Sequence, residues 1–231
     1  MSLIPLGFWN SSVPVIPTSG LKMYFNFEGE FSWYSGTVET VKDFSPSLVN
    51  GSLTGGNGWN SAAGGNMQFR SANSRFININ RTANDFGLFY GSASFVFVVR
   101  LTANAMAYIL NPTNARSYGN DVNIRGYFGN MYYSHNAGVE PFVNVSLNTW
   151  HHIVMTYSYA DYVTKIYVNG VLQVGNGFQE RMTAVDDGYW IGRDTGVYYN
   201  FDLGLFMIYN RVLTADEVSD IFNAQKGRFG L

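Results

Sequence analysis

Apolar and polar residues alternate along much of the chain, which is the pattern of half-buried β-strands. Apolar residues occupy positions 21, 23, 25 and 27, and Lys22, Tyr24 and Asn26 lie between them. A period of two places the apolar set on one face of a strand. Further apolar or alternating runs predict strands over residues 76–79, 94–101, 106–110, 152–157, 165–168, 189–191 and 203–209. Many short strands separated by Gly, Asn, Ser and Asp clusters indicate a β-sandwich or a β-barrel.

The segment 164–174 predicts a β-hairpin. Asn169 and Gly170 lie between two alternating runs, and both residue types accept the positive φ angles that a type I′ turn requires. No regular alternation of strands with helices is present, so a parallel-sheet enzyme fold is not expected.

One helix is predicted near the C-terminus. Thr214 is a suitable N-cap, and Glu217 follows three residues later, which is the spacing of a capping box. The apolar face of this helix comprises Val218, Ile221 and Phe222. Gly227 is expected to end the helix.

The composition narrows the possible functions. The chain has 231 residues, a formal net charge of −2, 13% charged residues and no Cys. The absence of Cys excludes disulfides, Cys-ligated metals and a Cys nucleophile, and it suits folding in a reducing cytoplasm. The balanced charge argues against nucleic acid as a partner. No apolar run is long enough for a transmembrane helix, so membrane insertion is not expected.

Residues 1–20 differ in composition from the rest of the chain. They contain three of the six prolines and two large aromatic residues, Phe8 and Trp9. Proline at this density disfavours helices and central strands. The segment is either a frayed terminus or an extended arm that binds a partner, with Phe8 and Trp9 as anchors. We therefore divide the chain into an N-terminal arm, residues 1–20, and a domain, residues 21–231.

Few residues suggest catalysis. Glu28 and Glu30 would project to one side of a strand, but the paired-carboxylate spacing of jelly-roll glucanases is absent, and a surface position at a strand end is the simpler interpretation. The histidines, His135, His151 and His152, lack metal-binding spacing, and the last two would face opposite sides of one strand. No nucleophile-elbow or phosphate-binding motif occurs. We therefore expect no catalytic residue and no enzyme.

Oxygen-rich and aromatic-rich segments leave two binding activities open. Calcium needs only a few carboxylate, amide and carbonyl oxygens, although an aspartate in a turn equally bonds its own backbone. The calcium candidates are Asp43, Asp186 and Asp187, with Asp194 and Asp202 in similar segments. A glycan site needs aromatic faces beside Asn, Asp or Gly groups. The carbohydrate-binding candidates are Tyr118, Asn120, Tyr198, Tyr199 and Asn200. No cofactor other than calcium is considered.

Five ordered motifs resemble a known domain family. They are Asp-Phe-Ser-Pro-Ser-Leu-Val-Asn-Gly-Ser-Leu-Thr at 43–54, Asn-Thr-Trp-His-His at 148–152, Tyr-Val-Asn-Gly at 167–170, Ile-Gly-Arg at 191–193, and Ile-Tyr-Asn-Arg-Val-Leu-Thr at 208–214. Together they are similar to the laminin-G-like, concanavalin A-like jelly roll. The resemblance implies an all-β fold, a two-sheet antiparallel jelly-roll sandwich with one short C-terminal helix.

The sequence departs from this family at acidic positions. Where relatives often have Phe-Asp-Gly and then Asp-Asp-Tyr, this chain has Phe-Arg-Ser at 69–71 and Ser-Arg-Phe at 74–76. Where calcium-binding relatives often carry an Asp before the Glu of the last strand, it has Gly204 and Leu205. The resemblance therefore implies neither a family-type calcium site nor a transferable sugar site.

The first seven residues and residues 222–231 are similar to tailed-bacteriophage virion proteins that carry this domain. The resemblance implies a non-enzymatic structural protein on the virion surface, a capsid decoration or head appendage attached through the arm and assembled in the host cytoplasm. Its expected partners are other virion proteins of the capsid, neck or tail, within an oligomer or larger assembly. One alternative is a glycan-binding adhesin or tail-associated receptor-binding module for host-surface glycans, and another is a glycoside hydrolase or lyase.

Overall fold

The structure, a computed structural model, describes residues 15–28, 40–79, 81–88, 91–113, 122–135, 140–178 and 188–231. The strands in these ranges are β1 Leu21–Asn26, β2 Thr40–Val41, β3 Gly51–Thr54, β4 Trp59–Asn60, β5 Asn66–Phe69, β6 Phe76–Ile79, β7 Ala93–Leu101, β8 Ala107–Pro112, β9 Val122–Tyr127, β10 Asn130–His135, β11 Phe142–Asn144, β12 His151–Ser158, β13 Val163–Val168, β14 Val171–Phe178, β15 Tyr189–Ile191, β16 Arg193–Asp194, β17 Val197–Tyr198 and β18 Phe201–Tyr209. Two short 3₁₀ turns cover Ala62–Gly64 and Ser71–Asn73, and the helix α1 covers Ala215–Phe229.

The strands form two antiparallel sheets. The first sheet has the order β14-β13-β12-β7-β18-β5-β4, with β1 also paired to β18. The second sheet has the order β11-β10-β9-β8-β15-β6-β3-β2, and β16 and β17 form a separate hairpin. Two packed antiparallel sheets with one C-terminal helix confirm the predicted concanavalin A-like jelly-roll sandwich.

The inner faces of the two sheets enclose one apolar core. Aromatic rings link the layers: Phe95 on β7 lies 5.9 Å from Tyr133 on β10, measured between ring centroids. Twelve Phe and Tyr side chains among the described residues are at most 2% exposed. Much of the high aromatic content is therefore core packing, where each ring removes a large apolar area from water.

The local predictions hold closely for strands and turns. The predicted strands at 76–79 and 189–191 match β6 and β15 residue for residue, and the other predicted runs all lie in strands with ends shifted by a few residues. Asn169 and Gly170 have φ angles of 50° and 78°, as a type I′ turn requires.

The helix begins as predicted and ends later than predicted. Thr214 and Glu217 form the reciprocal capping box. The expected end at Gly227 is wrong, because α1 continues to Phe229 and ends at Gly230, which adopts the left-handed conformation with φ 68°. The helix covers the outer face of the first sheet, where it shares a second apolar cluster with β7, β12 and β18. Among the described residues, no helix has the length and apolar character needed to cross a membrane.

The final residues of the predicted arm contact the domain. Ile16 packs against the second apolar cluster, the hydroxyl of Tyr209 donates to the carbonyl of Pro17 at 3.0 Å, and Nε of Arg211 donates to the carbonyl of Ser19 at 2.8 Å. The predicted anchors Phe8 and Trp9 lie outside the described residues.

Candidate functional site

One line of side chains crosses the outer face of the second sheet. Strand pairing places its members beside one another: Ser134 opposite Asn123, Trp190 between Asn111 and Asn78, and Ser52 between Asn78 and Thr40. We call this line the polar row; its members, in strand order β10-β9-β8-β15-β6-β3-β2, are Ser134, Asn123, Asn111, Trp190, Asn78, Ser52 and Thr40. Six of these residues are small and polar, and the seventh is an aromatic residue with a polar N–H group.

Strand alternation produces the row. Neighbours of the row residues along each strand point to the opposite face of the sheet, and on β2, β3, β6 and β15 the large neighbours are apolar and buried. They are Val41, Leu53, Ile77, Ile79, Tyr189 and Ile191. The apolar neighbours fix the register, because a slip by one residue would bring the polar row into the core.

The row has a covered half and an open half. Asn111, Asn123 and Ser134 are at most 7% exposed. Nδ2 of Asn123 donates to Oδ1 of Asn111 at 2.8 Å, and Nδ2 of Asn111 donates to Oδ1 of Asp194 at 3.1 Å. Asp194 belongs to the β16–β17 hairpin, so this hairpin lies over the covered half and accepts a hydrogen bond from the amide of Asn111.

The open half consists of Thr40, Ser52, Asn78 and Trp190, which are half-buried or exposed. Within the described residues, their side-chain polar groups form no hydrogen bond. Adjacent strands lie about 4.8 Å apart, so these four residues span about 14 Å. The open half therefore offers hydrogen-bonding groups to a ligand longer than a single sugar ring.

An arginine held by three aromatic rings borders the open half. The guanidinium carbon of Arg193 lies 4.4 Å from the ring centroid of Trp190, 4.5 Å from that of Phe76 and 5.6 Å from that of Tyr198. The rings of Phe76 and Trp190 are 6.4 Å apart at 78°. We call these four residues the arginine–aromatic cluster. Ring faces attract a cation, so the cluster fixes a positive charge beside Trp190.

The predicted carbohydrate-binding residues have different positions. Tyr198 belongs to the arginine–aromatic cluster and is half-buried. Tyr199 is only 6% exposed and packs 5.3 Å from Tyr108, so its burial does not support the predicted sugar contact. Oδ1 of Asn200 accepts a hydrogen bond from the backbone N–H of Ser71 at 3.0 Å. Tyr118 and Asn120 lie outside the described residues.

Asp43, a predicted calcium candidate, is a buried loop anchor. Its carboxylate accepts four hydrogen bonds of 2.6 to 2.8 Å, from the backbone N–H groups of Tyr24, Ser45 and Val49 and from the hydroxyl of Ser45. Since a carboxylate has about four acceptor positions, these donors account for the whole group. The observed role is therefore to fasten the loop after β2 to β1.

The other calcium candidates are distributed through the fold. Asp202 is fully buried and forms ion pairs with Arg70 at 2.7 Å and Arg100 at 2.5 Å, and Asp194 lies in the β16–β17 hairpin. Asp186 and Asp187 lie outside the described residues. In the part of the chain that the structure describes, no three His, Asp or Glu residues are grouped as a metal site requires.

Both departures from the family pattern have a structural explanation. Arg75 replaces an acidic position, and its guanidinium donates to the carbonyl oxygens of Gly56, Gln68 and Asn57 at 2.9, 2.5 and 3.1 Å. Gly204 leaves room for the ring of Phe229, because a Cβ atom there would lie 2.2 Å from Cζ of that ring.

The two adjacent histidines face opposite sides of β12, as predicted. Nε2 of His151 lies 3.1 Å from the backbone N–H of Ser146. His152 is fully buried under α1, 5.6 Å from the ring of Phe222, and burial lowers the pKa of His152 to about 3. Neither environment resembles an exposed ligand site.

A family model described as the concanavalin A-like lectin/glucanases superfamily, of the laminin G type, matches residues 91–219. The chain therefore belongs to the concanavalin A-like superfamily. No curated protein matches the sequence at a significant level. The matched segment contains the covered half of the polar row together with Trp190 and Arg193.

Solved structures with a similar fold include clostridial receptor-binding domains. The receptor-binding domain of botulinum neurotoxin C/D mosaic serotype has a TM-score of 0.68 and 14% identity, covering 89% of this chain and 51% of that one. The binding domain of Paraclostridial Mosquitocidal Protein 1 has a TM-score of 0.68 and 16% identity, covering 89% and 52%. A botulinum neurotoxin type C structure, whose cell entry is described as dependent on two ganglioside molecules, has a TM-score of 0.66 and 14% identity, covering 89% and 51%. The chain spans about half the length of these structures, and at these identities the likeness establishes the fold alone.

Proposed function

We propose that this domain is a non-catalytic recognition module that binds an oligosaccharide along the open half of the polar row. The observation that carries the proposal is the alignment of Trp190 with the polar side chains of Asn78, Ser52 and Thr40, which form no hydrogen bond with any described residue. A sugar ring presents C–H groups on its faces and hydroxyl groups at its rim. An indole ring suits the faces, and amide and hydroxyl groups suit the rim.

The geometry favours extended ligands. The open half runs across strands, at about 4.8 Å per strand, so the polar groups follow one another in a line. Asn78 lies directly beside Trp190, and Ser52 and Thr40 continue the line towards the sheet edge. A linked chain of sugars could contact the indole at one end and the hydroxyls at the other.

The chemistry of the row supports binding without hydrolysis. Glycoside hydrolysis uses two carboxyl groups that flank the scissile bond, and the polar row contains no carboxylate. The nearest carboxylate with a described contact to the row is Asp194, which accepts hydrogen bonds from Asn111 and from the backbone N–H of Thr195. Asp43 and Asp202 are buried in structural roles.

Similarity to other proteins gives fold-level support. Botulinum neurotoxin type C shares the fold and is described as interacting with gangliosides, and superfamily membership includes lectins by its description. This support is analogy, because the chain matches about half of the neurotoxin chain.

The test is glycan-array binding by the intact chain and two variants. We expect the wild type to bind a set of oligosaccharides and Trp190→Ala to lose at least about tenfold in affinity, since a buried aromatic contact is worth more than about 1.4 kcal/mol. Phe142→Ala is the matched control: Phe142 is a 47% exposed aromatic on β11 of the same sheet. An array that binds no form of the protein, or equal binding by Trp190→Ala and wild type, would contradict the proposal.

Placement on a virion surface stays a prediction from sequence resemblance, and it is compatible with glycan recognition. The predicted attachment through the arm is best tested by deleting residues 1–14, because this deletion spares the contacts that Pro17 and Ser19 make with the domain. We expect mass spectrometry of purified particles to detect the full chain and to detect much less of the deletion variant. Equal incorporation of both forms would remove the attachment role.

A further inference from the structure

Arg193 differs from the other buried or partly buried arginines in the contacts of its guanidinium group. Each of the others has oxygen acceptors: Arg125 pairs with Glu140, Arg211 with Glu217, Arg70 and Arg100 with Asp202, and Arg75 and Arg228 with backbone carbonyls. Within the described residues, the side chain of Arg193 forms no ion pair and no hydrogen bond, and its Nε atom is buried without an acceptor. Three aromatic rings hold its charge instead.

This arrangement leaves donors that need an acceptor. A guanidinium carries five N–H donors and stays charged at all relevant pH values. Aromatic rings attract its charge without providing oxygen acceptors. A buried polar atom without a partner, such as Nε of Arg193, is uncommon in folded proteins. The two terminal nitrogens of the guanidinium are not buried, so their N–H groups are the donors that a ligand can meet. An anionic group of a ligand would provide the acceptors and the opposite charge together.

The position of Arg193 connects it with the proposed glycan site. Its guanidinium lies over Trp190, the aromatic member of the polar row. Asp194, the adjacent residue, lies on the opposite side of β16, where its carboxylate accepts the amide of Asn111 and the backbone N–H of Thr195. The carboxylate of Asp194 is thus engaged over the covered half, and Arg193 is the cation beside the open half.

We infer that the site selects sugars that carry a carboxylate, with Arg193 as the residue that determines this specificity. The inference rests on the proposed function. The planar guanidinium fork matches a carboxylate bidentately, and the sugar ring would lie against Trp190 while its hydroxyls meet Asn78 and Ser52. Two kinds of sugar supply this chemistry: sialic acids and uronic acids.

The experiment compares acidic sugars with neutral partners of the same structure. The first pair is sialyllactose and lactose, and the second is polygalacturonate and the same polymer after reduction of its carboxyl groups. We expect the wild type to prefer the acidic member of at least one pair by about tenfold or more, because hydrogen bonds to charged groups are stronger than neutral ones. The pair that shows the preference identifies the source of the carboxylate.

Variants separate charge, geometry and folding. Arg193→Gln should bind the acidic and the neutral partner equally, whereas Arg193→Lys should keep part of the preference with a stronger dependence on salt. Arg125→Gln is the matched control. Arg125 lies on the same sheet and also over an aromatic ring, that of Tyr132, but its charge is paired with Glu140. The Arg125→Gln variant should keep the wild-type preference for the acidic partner. Thermal unfolding of each variant shows whether it is folded. If Arg193→Gln does not fold, Arg193→Lys takes its place, and a preference for the acidic partner equal to that of the wild type at every salt concentration would then contradict the inference.

The outcomes distinguish this inference from the proposed function. Equal binding of acidic and neutral partners by the wild type, with loss of both in Trp190→Ala, would overturn the role of Arg193 and leave glycan binding intact. A full preference for the acidic partner in Arg193→Gln would also overturn it. Absence of binding to any glycan would remove the proposed function and this inference together.

Discussion

The outer faces of the two sheets have opposite chemistry. On the first sheet, the outward residues of the central strands are apolar and fully buried under α1; they include Val96, Val98, Val154, Leu205 and Met207. On the second sheet, the corresponding face carries the polar row and no helix packs on it among the described residues. The helix therefore converts one outer face into a second core, whereas the open half of the polar row on the other face is half-buried or exposed.

The difference is visible in the strands themselves. β7 reads Ala-Ser-Phe-Val-Phe-Val-Val-Arg-Leu and is buried at eight of nine positions, which is the pattern of a strand covered on both faces. β3 and β15 alternate strictly between buried and more exposed positions. We expect substitutions on the first outer face to change stability, and substitutions on the second to change binding.

The largest effect is expected for Phe229→Ala on the first outer face. Phe229 is 6% exposed, lies 5.0 Å from the Trp150 ring and fills the space above Gly204. Truncating a buried Phe to Ala costs about 3–5 kcal/mol. Urea unfolding should show this loss in the free energy of unfolding, while glycan binding of the folded variant stays unchanged. A loss below about 1 kcal/mol would mean that α1 does not form a second core.

A pH-dependent effect of intermediate size is expected from His152. Burial lowers its pKa to about 3 in the folded state, whereas an unfolded histidine has a pKa near 6.5. The unfolded state therefore gains a proton first as the pH falls, so stability is retained above pH 6.5 and lost below it. The free energy of unfolding should fall by about 2 kcal/mol between pH 6.5 and pH 5 from this group.

His152→Phe tests this effect, because Phe keeps a ring beside Phe222 without a titrating group. The free energy of unfolding, measured by urea at several pH values, should fall less steeply below pH 6.5 in the variant than in the wild type. His151→Phe, on the opposite side of β12, is the comparison variant: burial also lowers the pKa of His151, but this side chain is only half-buried, so its removal should flatten the profile less. Parallel pH profiles for His152→Phe and wild type would show that His152 is not held neutral by the packing under α1.

The smallest effects are expected on the second outer face. Asn78→Ala and Ser52→Ala remove exposed or half-buried groups that form no hydrogen bond in the described structure. Their stability should stay within about 0.5 kcal/mol of the wild type. Each should weaken binding of an array-identified glycan by about fivefold, the loss of one neutral hydrogen bond. A stability loss above 1 kcal/mol would place these residues in the structural framework instead.

The sequence alone predicts the local structure of this fold well. Strand alternation, the Asn169-Gly170 turn and the capping box at Thr214 depend on residues close together in the chain, and the structure confirms them. The sequence places the end of α1 too early, because a glycine inside a helix costs only about 1 kcal/mol and Phe229 gains more by packing on Trp150 and above Gly204.

The candidate site is harder to predict, because it is built across strands. Trp190, Asn78 and Ser52 lie far apart in the sequence and meet only through the order and register of β15, β6 and β3. A local signal exists, since Trp190 stands between two buried residues of one short strand. The aromatic-rich segment predicts Tyr198 correctly as a neighbour of the site, but the same segment includes Tyr199, which the fold buries against Tyr108.

Among the described residues, Trp150 lies on the outer face of the first sheet and Trp190 on that of the second, and this pair gives the most direct test of the central claim. Trp150 lies under α1 beside Phe229, and Trp190 lies in the polar row. Glycan binding and unfolding should be measured together for Trp150→Ala and Trp190→Ala, with binding recorded below the unfolding transition of each variant. We predict that Trp150→Ala loses several kcal/mol of stability (about 3–5) and binds glycan like the wild type, whereas Trp190→Ala keeps its stability and loses binding. Wild-type glycan affinity in Trp190→Ala, or loss of affinity in folded Trp150→Ala, would contradict the assignment of recognition to the second sheet.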